Sequence, residues 1–425
     1  MRTYYFSRII AIGLLFGSVG LEAATNGPSI GLSRISGQPQ ISFTGTLQVA
    51  DSVTGAWTDL TNAPNPYALN ATNAHRFFRS RDLLSIFSSD EIVQFSVTGA
   101  LQEHFELAHA GMPDGIFPPI REKPYFGGTI HIGQQTIPVD LRVRGNSSLQ
   151  ECFFPKMKFK VSRTNRIGTP FFDAREVKIG THCAEGGRGP IGRLRDERAT
   201  YREALAYEIM QMVGFVGPRV RRARIDYFDT SSTNRASEVG WSVTRNAVIL
   251  DDVEVVAEGL GGRALNDEEV AALTNANFSV QLKTEIQILQ VLLGNWDYAL
   301  STSGEGLWNI DVIELRNKTF IPVPGDFDLC SFVTEELRLE VPWDYRPELP
   351  QLERQTRYHL ERIRGEVEET DPEIFPAAKL RFESKRNLIE ARIAAASIDE
   401  PGRTNAASHV TAFFGSLAEM TDDRE

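Results

Sequence analysis

The chain has 425 residues, 41% hydrophobic and 24% charged, an ordinary globular balance with room for one large domain or two to three smaller ones. Its formal net charge of -11 excludes a broad electrostatic attraction to nucleic acid or to an anionic membrane, while local basic clusters remain free to bind phosphate. Three cysteines, Cys152, Cys183 and Cys330, are too few for a disulfide framework and have no zinc spacing; one pair and one free thiol is the arrangement they allow.

In chain order, the first segment is a positive start (Arg2, Arg8), an apolar run Ile9 to Val19 and a small-residue end at LEAA, 21–24. This pattern predicts a cleavable export signal, with an N-terminal anchor as the alternative; the run is too short to span a bilayer comfortably. An exported protein is expected, secreted, periplasmic or on the cell surface, with no stable transmembrane helix after cleavage. Residues 27–82 alternate short β-type runs with turn residues and predict a small β-rich module of marginal independent stability, packed on the following domain or a remnant of a larger sandwich. From about residue 92 the runs IVQFSV, TIHIGQQTIPVDLRVRG and KMKFKV predict an antiparallel sheet. DERATYREALAYEIMQMVG at 196–214 predicts a helix capped by Asp196 and stopped by Gly214. RVRRARIDYF (219–228) and NAVILDDVEVVAEG (246–259) read as β-rich, 266–293 as helical, 319–333 as strand and turn, and 350–395 as charged helices, with a polar tail at 401–425. The order, a β-rich lobe with one strong helix and then a helical lobe, predicts an α+β fold.

Four segments place reactive residue types in turn-rich surroundings. In GDFDL, Asp326 and Asp328 follow the apolar run FIPVP; an extended backbone points both carboxylates to one side, where they repel unless a cation lies between them. Mg²⁺ meets that need with its preference for hard oxygen ligands, although an isolated D-x-D is more commonly an acidic turn capping a helix. Asp297, in GNWDYAL, closes an apolar helical run directly after Trp296, where it is an oriented base, a ligand or a cap. Lys156, Lys158 and Lys160 alternate in PKMKFKV and share one strand face, opposite Met157 and Phe159; they suit phosphate, or a solvated sheet face. Before them, the turn Arg144-Gly145-Asn146-Ser147-Ser148 offers amides to a phosphate without being a Walker or GxGxxG pattern. On the strong helix, Glu203 and Glu208 are candidates to pair with one of these lysines, Glu203 being preferred beside Arg202.

Taken in order, RGNSS, PKMKFKV, YREALAYEIMQMVGFVGPRVRRARI, LLGNWDYAL and PGDFDL resemble the spore coat protein H (CotH) kinase-like family over roughly residues 90–335. The resemblance implies a bilobed atypical protein-kinase-like fold after the small β-rich module: a domain over 90–400, with a β-rich N-lobe at about 90–250 and a helical C-lobe at about 260–400. It implies ATP and Mg or Mn between the lobes, and γ-phosphoryl transfer to a protein hydroxyl. By motif it places Asp297 in the catalytic aspartate position and Lys158 on phosphate, with Lys160, Glu203 and Arg144 as further nucleotide-side residues. Asp326 binds metal with Asp328 assisting, and Asn309, separated from Asp297 by STSGEGLW, is the candidate metal-binding asparagine. VILDDVEVVAEG takes the place of the link between lobes, with adenine contacts expected at Asp251 to Glu254. The same nucleotide site also admits AMP transfer or ATP-driven glutamylation, and a non-catalytic envelope or surface binding protein can keep the fold.

Cleavage near Ala23 or Ala24 is the expected outcome for the exported protein. Intact mass of secreted material is the check, and material still beginning at Met1 contradicts it.

Overall fold

The computed structural model describes residues 30–35, 37–43, 45–51, 58–60, 63–69, 76–81, 85–110, 123–145, 152, 154–181, 196–231, 241–300 and 307–420. The signal-like segment, Asn146 to Ser148, His182, Cys183 and the STSGEG stretch lie outside these. Two compact units divide the chain, one from residues up to Ser88 with Val161–Arg175, the other from Ser89–Lys160 with Glu176 onward.

The first unit holds the short strands β1 (Ile30–Ile35), β2 (Gln38–Phe43), β3 (Thr46–Ala50), β4 (Thr58–Asp59), β5 (Tyr67–Ala68) and β6 (Phe77–Arg81). They form two three-stranded sheets, β1-β2-β5 and β4-β3-β6, all antiparallel. Ile41, Leu47, Val49, Leu69 and Phe78 make a core of their own.

In the second unit β7 (Val93–Gly99), β8 (Phe126–Ile132), β9 (Gln135–Val143), β10 (Met157–Lys160), β11 (Glu176–Thr181), β12 (Val220–Asp229) and β13 (Ser242–Asp251) close into a barrel of order β10-β11-β13-β12-β7-β8-β9. The antiparallel pairing expected of the runs from residue 92 holds for β7-β8, β8-β9 and β9-β10; closure into a barrel, with β12 parallel to β7, goes beyond that expectation. Period-two alternation puts Val97, Ile130, Leu141, Met157, Phe159, Ile225 and Ile249 inside, all essentially inaccessible. Closure leaves no unpaired edge along these strands.

One helix explains why β13 is buried on both faces. The helix α2 (Ala199–Met212), which follows α1 (Leu101–Ala110), packs on β13 and joins Val248 and Leu250 to the core of the helical part. Ten of its fourteen residues are buried, so it is a central helix rather than an amphipathic surface one. Gly214, at φ 98°, stops it as expected. Its start differs from expectation: Asp196 accepts from the Arg198 amide and pairs with Arg198 and Arg202, and the helix begins only at Ala199.

After the barrel come α3 (Val253–Gly259), a sheet of β14 (Gly262–Ala264), β17 (Ile310–Leu315) and β18 (Phe320–Pro324), and the pair β15 (Ala299–Leu300) and β16 (Leu307–Trp308). The longer helices are α4 (Val280–Leu293), α5 (Gln351–Glu368), α6 (Ile374–Glu383), α7 (Arg386–Ala395) and α8 (Glu400–Glu419). Two expectations are corrected here. VEVVAEG is not strand: Asp252 accepts from the Glu254 amide and caps α3, and Asp251 is buried against Arg219 at 2.7 Å. Residues 401–419 are no polar tail, because α8 buries Ala406, Val410, Phe413, Phe414 and Leu417 against α4 and α5. Cys330 is a buried free thiol and Cys152 is disulfide-bonded. No helix among the described residues is long and apolar enough to cross a membrane.

On α8, His409 is buried beside Phe332, and neither ring nitrogen has a hydrogen-bond partner. Burial lowers its pKa from 6.5 to about 4. The unfolded chain therefore binds the extra proton between those values, and stability falls as pH falls through that window, by about 3 kcal/mol when complete. Urea denaturation of His409→Leu across the same window should lack that share of the loss; a loss equal to that of the unsubstituted protein contradicts the assignment.

Candidate active site

The GNWD turn is built by the end of α4. Gly294 adopts φ 59° and lies so close to Ser331 and His409 that a Cβ would stand 2.9 Å and 3.0 Å from their atoms, so both conformation and space require glycine. Asn295 is fully buried; its amide donates to the Gln290 side chain at 2.8 Å, and its oxygen accepts from the Asp297 backbone at 3.0 Å. Trp296 donates its indole N–H to the Leu329 carbonyl at 3.1 Å. These bonds fix the backbone on both sides of Asp297. Its carboxylate then receives Trp308 Nε1 on Oδ1 at 3.0 Å and Asn309 Nδ2 on Oδ2 at 3.1 Å, and Asn309 also donates to the Asp297 carbonyl at 2.7 Å.

The GDFD turn follows β18. Gly325 donates to the Asn309 carbonyl at 3.0 Å, Asp326 takes the left-handed conformation (φ 54°, ψ 57°), and Phe327–Leu329 forms one 3₁₀ turn. The backbone is thus left-handed at Asp326 rather than extended as expected. The two carboxylates nevertheless converge, because a cation does lie between them: Lys156 Nζ is 2.8 Å from Asp326 Oδ1 and 2.8 Å from Asp328 Oδ2.

Glu203, on α2, completes the cluster. Gly180 of β11 faces it, and a Cβ there would stand only 2.7 Å from Val248. Burial opposes charge on Lys156, but Asp326, Asp328 and Glu203 outweigh it and raise its pKa. Burial raises Glu203, against the pull of Lys156, with Asp328 and Asp326 adding to the rise. Asp328 is raised by burial and by Asp326, while Lys156 works the other way. Burial acts to raise Asp326, but Lys156 and Arg144 together outweigh it and hold its pKa low, and 44% of its side-chain surface is open to solvent. Asp297 is raised by burial and by the charge of Asp326, against its bonds from Trp308 and Asn309.

The structure thus brings Asp297, Asn309, Asp326, Asp328 and Glu203 together, but with a different lysine. Side-chain exposure along the shared face runs 8% at Lys156, 20% at Lys158 and 48% at Lys160. Lys158 and Lys160 pair instead with Glu176, at 2.7 Å and 3.5 Å, and the Tyr125 hydroxyl also donates to Glu176, at 2.8 Å. Arg144 lies within electrostatic reach of Asp326 and Glu203, and its Nε is buried with no hydrogen-bond partner among the described residues, a donor suited to an anionic ligand. Glu208 is elsewhere, paired with Arg222 and Arg392.

Asn309, the expected metal-binding asparagine, turns its amide nitrogen to Asp297. No group of three His, Cys, Asp or Glu side chains converges as a metal centre among the described residues. The Asp326 and Asp328 pair nonetheless fits a hard divalent cation in exchange for the Lys156 ammonium that lies between them, since both residues turn a carboxylate oxygen to that position and Asp326 is open to solvent. Two contributors carry little sequence signal. Trp308 has none, and Tyr207, whose hydroxyl accepts from the Asp326 amide at 2.8 Å, is marked only by lying one helical turn after Glu203.

No family model matches the chain, and no curated protein matches it. Among solved structures it is similar to the crystal structure of a Helicobacter pylori proinflammatory kinase CtkA, at 9% identity and TM-score 0.33, over 63% of this chain and 95% of that one. It is also similar to the crystal structure of the golgi casein kinase, at 8% identity and TM-score 0.32, over 64% of this chain and 71% of that one. At these TM-scores the likeness decides neither fold nor activity, and the geometry of the site carries the functional reading.

Removing the central cation leaves buried carboxylates facing one another. Lys156→Met is expected to lose about 3–5 kcal/mol at neutral pH, and to lose less near pH 5, where protonation relieves the repulsion. Lys158→Met, which leaves Glu176 with Lys160 and Tyr125, should lose on the order of 1 kcal/mol. Chemical denaturation of both variants decides it: equal losses would place the critical lysine wrongly.

Proposed function

We propose that this chain is an exported, ATP- and metal-dependent phosphotransferase of the atypical protein-kinase type, resembling the CotH family, that moves the γ-phosphoryl of ATP to a protein hydroxyl. The observation that carries the reading is the meeting of a buried lysine with Asp326 and Asp328, with Asp297 and Asn309 close by.

Phosphoryl transfer asks a protein mainly for positioning and charge stabilisation, which is what this residue set offers. Lys156 acts as a point charge for the phosphates, oriented by Glu203 on α2, and Arg144 supplies a second cation from the neighbouring strand end. Asp326 and Asp328 hold a divalent cation which, when bound, neutralises phosphate charge. Asp297, held by Trp308 and Asn309, accepts the proton of the acceptor hydroxyl as its oxygen bonds to the γ-phosphorus. The bond from that phosphorus to the bridging oxygen breaks, and ADP leaves. Lys158 and Lys160, tied to Glu176 on the same strand face, extend the basic surface toward solvent. Export rests on the N-terminal segment alone.

Incubation with γ- and α-labelled ATP in Mg²⁺ or Mn²⁺ tests the reaction. Transfer of γ-label alone is expected. Asp297→Asn should lower it by about two orders of magnitude or more while nucleotide still stabilises the protein in thermal melts. Asp326→Ala should abolish both transfer and the metal-dependent part of that stabilisation. Transfer of α-label points to AMP transfer. If nucleotide and metal stabilise the protein and neither label moves, the chain is a binding protein on this fold.

A further inference from the structure

Asp326 has an unusual backbone for the residue expected to hold a cation. At φ 54° and ψ 57° it lies in the left-handed region, which is strained for a residue with a Cβ, although less so for aspartate than for most, and which its surroundings must hold. On the N-terminal side the turn is pinned by the Gly325 amide, which donates to the Asn309 carbonyl at 3.0 Å. On the C-terminal side Phe327 is fully buried and meets the Tyr207 ring edge to face, with centroids 4.8 Å apart. At Asp326 itself the backbone N–H donates to the Tyr207 hydroxyl at 2.8 Å.

We infer that Tyr207 is the positioning residue for Asp326: its hydroxyl, presented from the core of α2, selects the left-handed turn that aims the Asp326 carboxylate into the cation position. The side chain of Asp326 cannot do this for itself. Among the described residues its one hydrogen-bond partner is Lys156, and 44% of its side-chain surface is open. The hydroxyl, by contrast, is fixed, because Tyr207 is buried in a central helix. Space is also reserved for it: a Cβ on Gly325 would stand 3.3 Å from the Tyr207 oxygen. Glu203 lies one helical turn earlier on the same helix and acts on Lys156. One helix therefore sets both sides of the lysine–carboxylate contact, Lys156 through residue 203 and Asp326 through residue 207.

The inference rests on the reading of Asp326 as a cation-holding carboxylate, and the experiment separates the two. Mn²⁺ binding to the full chain in the presence of ADP is followed by electron paramagnetic resonance, which requires no turnover. Tyr207→Phe keeps the ring and removes the acceptor, leaving the Asp326 amide unpaired. Mn²⁺ affinity should fall about five- to tenfold, the fold-change of one lost hydrogen bond, with little change in the melting temperature of the free protein. Phe327→Leu weakens the packing but keeps the hydroxyl bond; it should lower the melting temperature and change Mn²⁺ affinity by less than about twofold. Gly325→Ala crowds the hydroxyl without touching Tyr207, and should weaken Mn²⁺ like Tyr207→Phe; it decides the matter if Tyr207→Phe does not fold. Absence of Mn²⁺ binding to the unsubstituted protein overturns the cation site and this inference with it. Normal binding there with unchanged affinity in Tyr207→Phe, or in Gly325→Ala where only that variant folds, overturns the role of Tyr207 alone.

Discussion

A single ammonium group determines the arrangement of the site. Lys156 stands 2.8 Å from each of two carboxylates, with a third, Glu203, close enough to raise its pKa. Without a cation at that point, Asp326 and Asp328 could not both be ionised in a largely desolvated setting, and the turn that carries them would open. The surrounding structure serves to bring these groups together: the barrel delivers the lysine at a strand end, α2 delivers Glu203 and Tyr207, and β18 delivers the GDFD turn. The cluster is held by electrostatic attraction in a site that is only partly open, so it answers to any cation that competes with the lysine.

The elements that carry this cluster also explain how it is kept rigid. Arg202, next to Glu203 on α2, is buried and bonds Asp399 at 2.7 Å, Glu335 at 2.9 Å and the Val333 carbonyl at 3.2 Å. It thereby ties the start of α8 and the helical turn after GDFD to the same helix that addresses Lys156 and Asp326. A buried arginine of this kind forks to several acceptors at once, which a lysine cannot do. Helix α2 is thus a shared support, and its near-complete burial follows from serving the barrel on one side and the helical core on the other.

Much of this was legible in the sequence, for identifiable reasons. Alternating strands, the helix at 199–212 with its glycine stop, and the ordered Asp297, Asp326 and Asp328 are local patterns, and local patterns survive folding. What was not legible depended on contacts between distant residues. Closure of β9 on β10 and the parallel pairing of β12 with β7 leave no mark on either strand alone. Residues 401–419 looked polar because Arg403, Thr404, Asn405, Ser408 and His409 interrupt the apolar positions; only packing against α4 and α5 makes them a buried helix. Residues 246–259 read as β-rich throughout because apolar residues recur on both sides of Asp251 and Asp252; strand holds only as far as Asp251, and the side chain of Asp252 caps a helix there. Tyr207 and Trp308 matter through one polar atom each, aimed at a residue more than ten positions away.

The lysine stripe shows how far such reasoning reaches and where it stops. Period two put Lys156, Lys158 and Lys160 on one face, and the strand does alternate, with Met157 and Phe159 inside the barrel. Periodicity fixes the face but says nothing of depth along it. Depth is set by what covers each end of the strand. Lys160 lies over the Tyr125 ring at 4.5 Å and remains in water; Lys158 meets Glu176 midway; Lys156, at the end next to the carboxylates, is buried. The same charge on the same face therefore has three different electrostatic values. Attraction to phosphate grows as water is excluded, so the buried end of the stripe is where a lysine can act as a fixed counter-charge, and the exposed end is where salt screens it most.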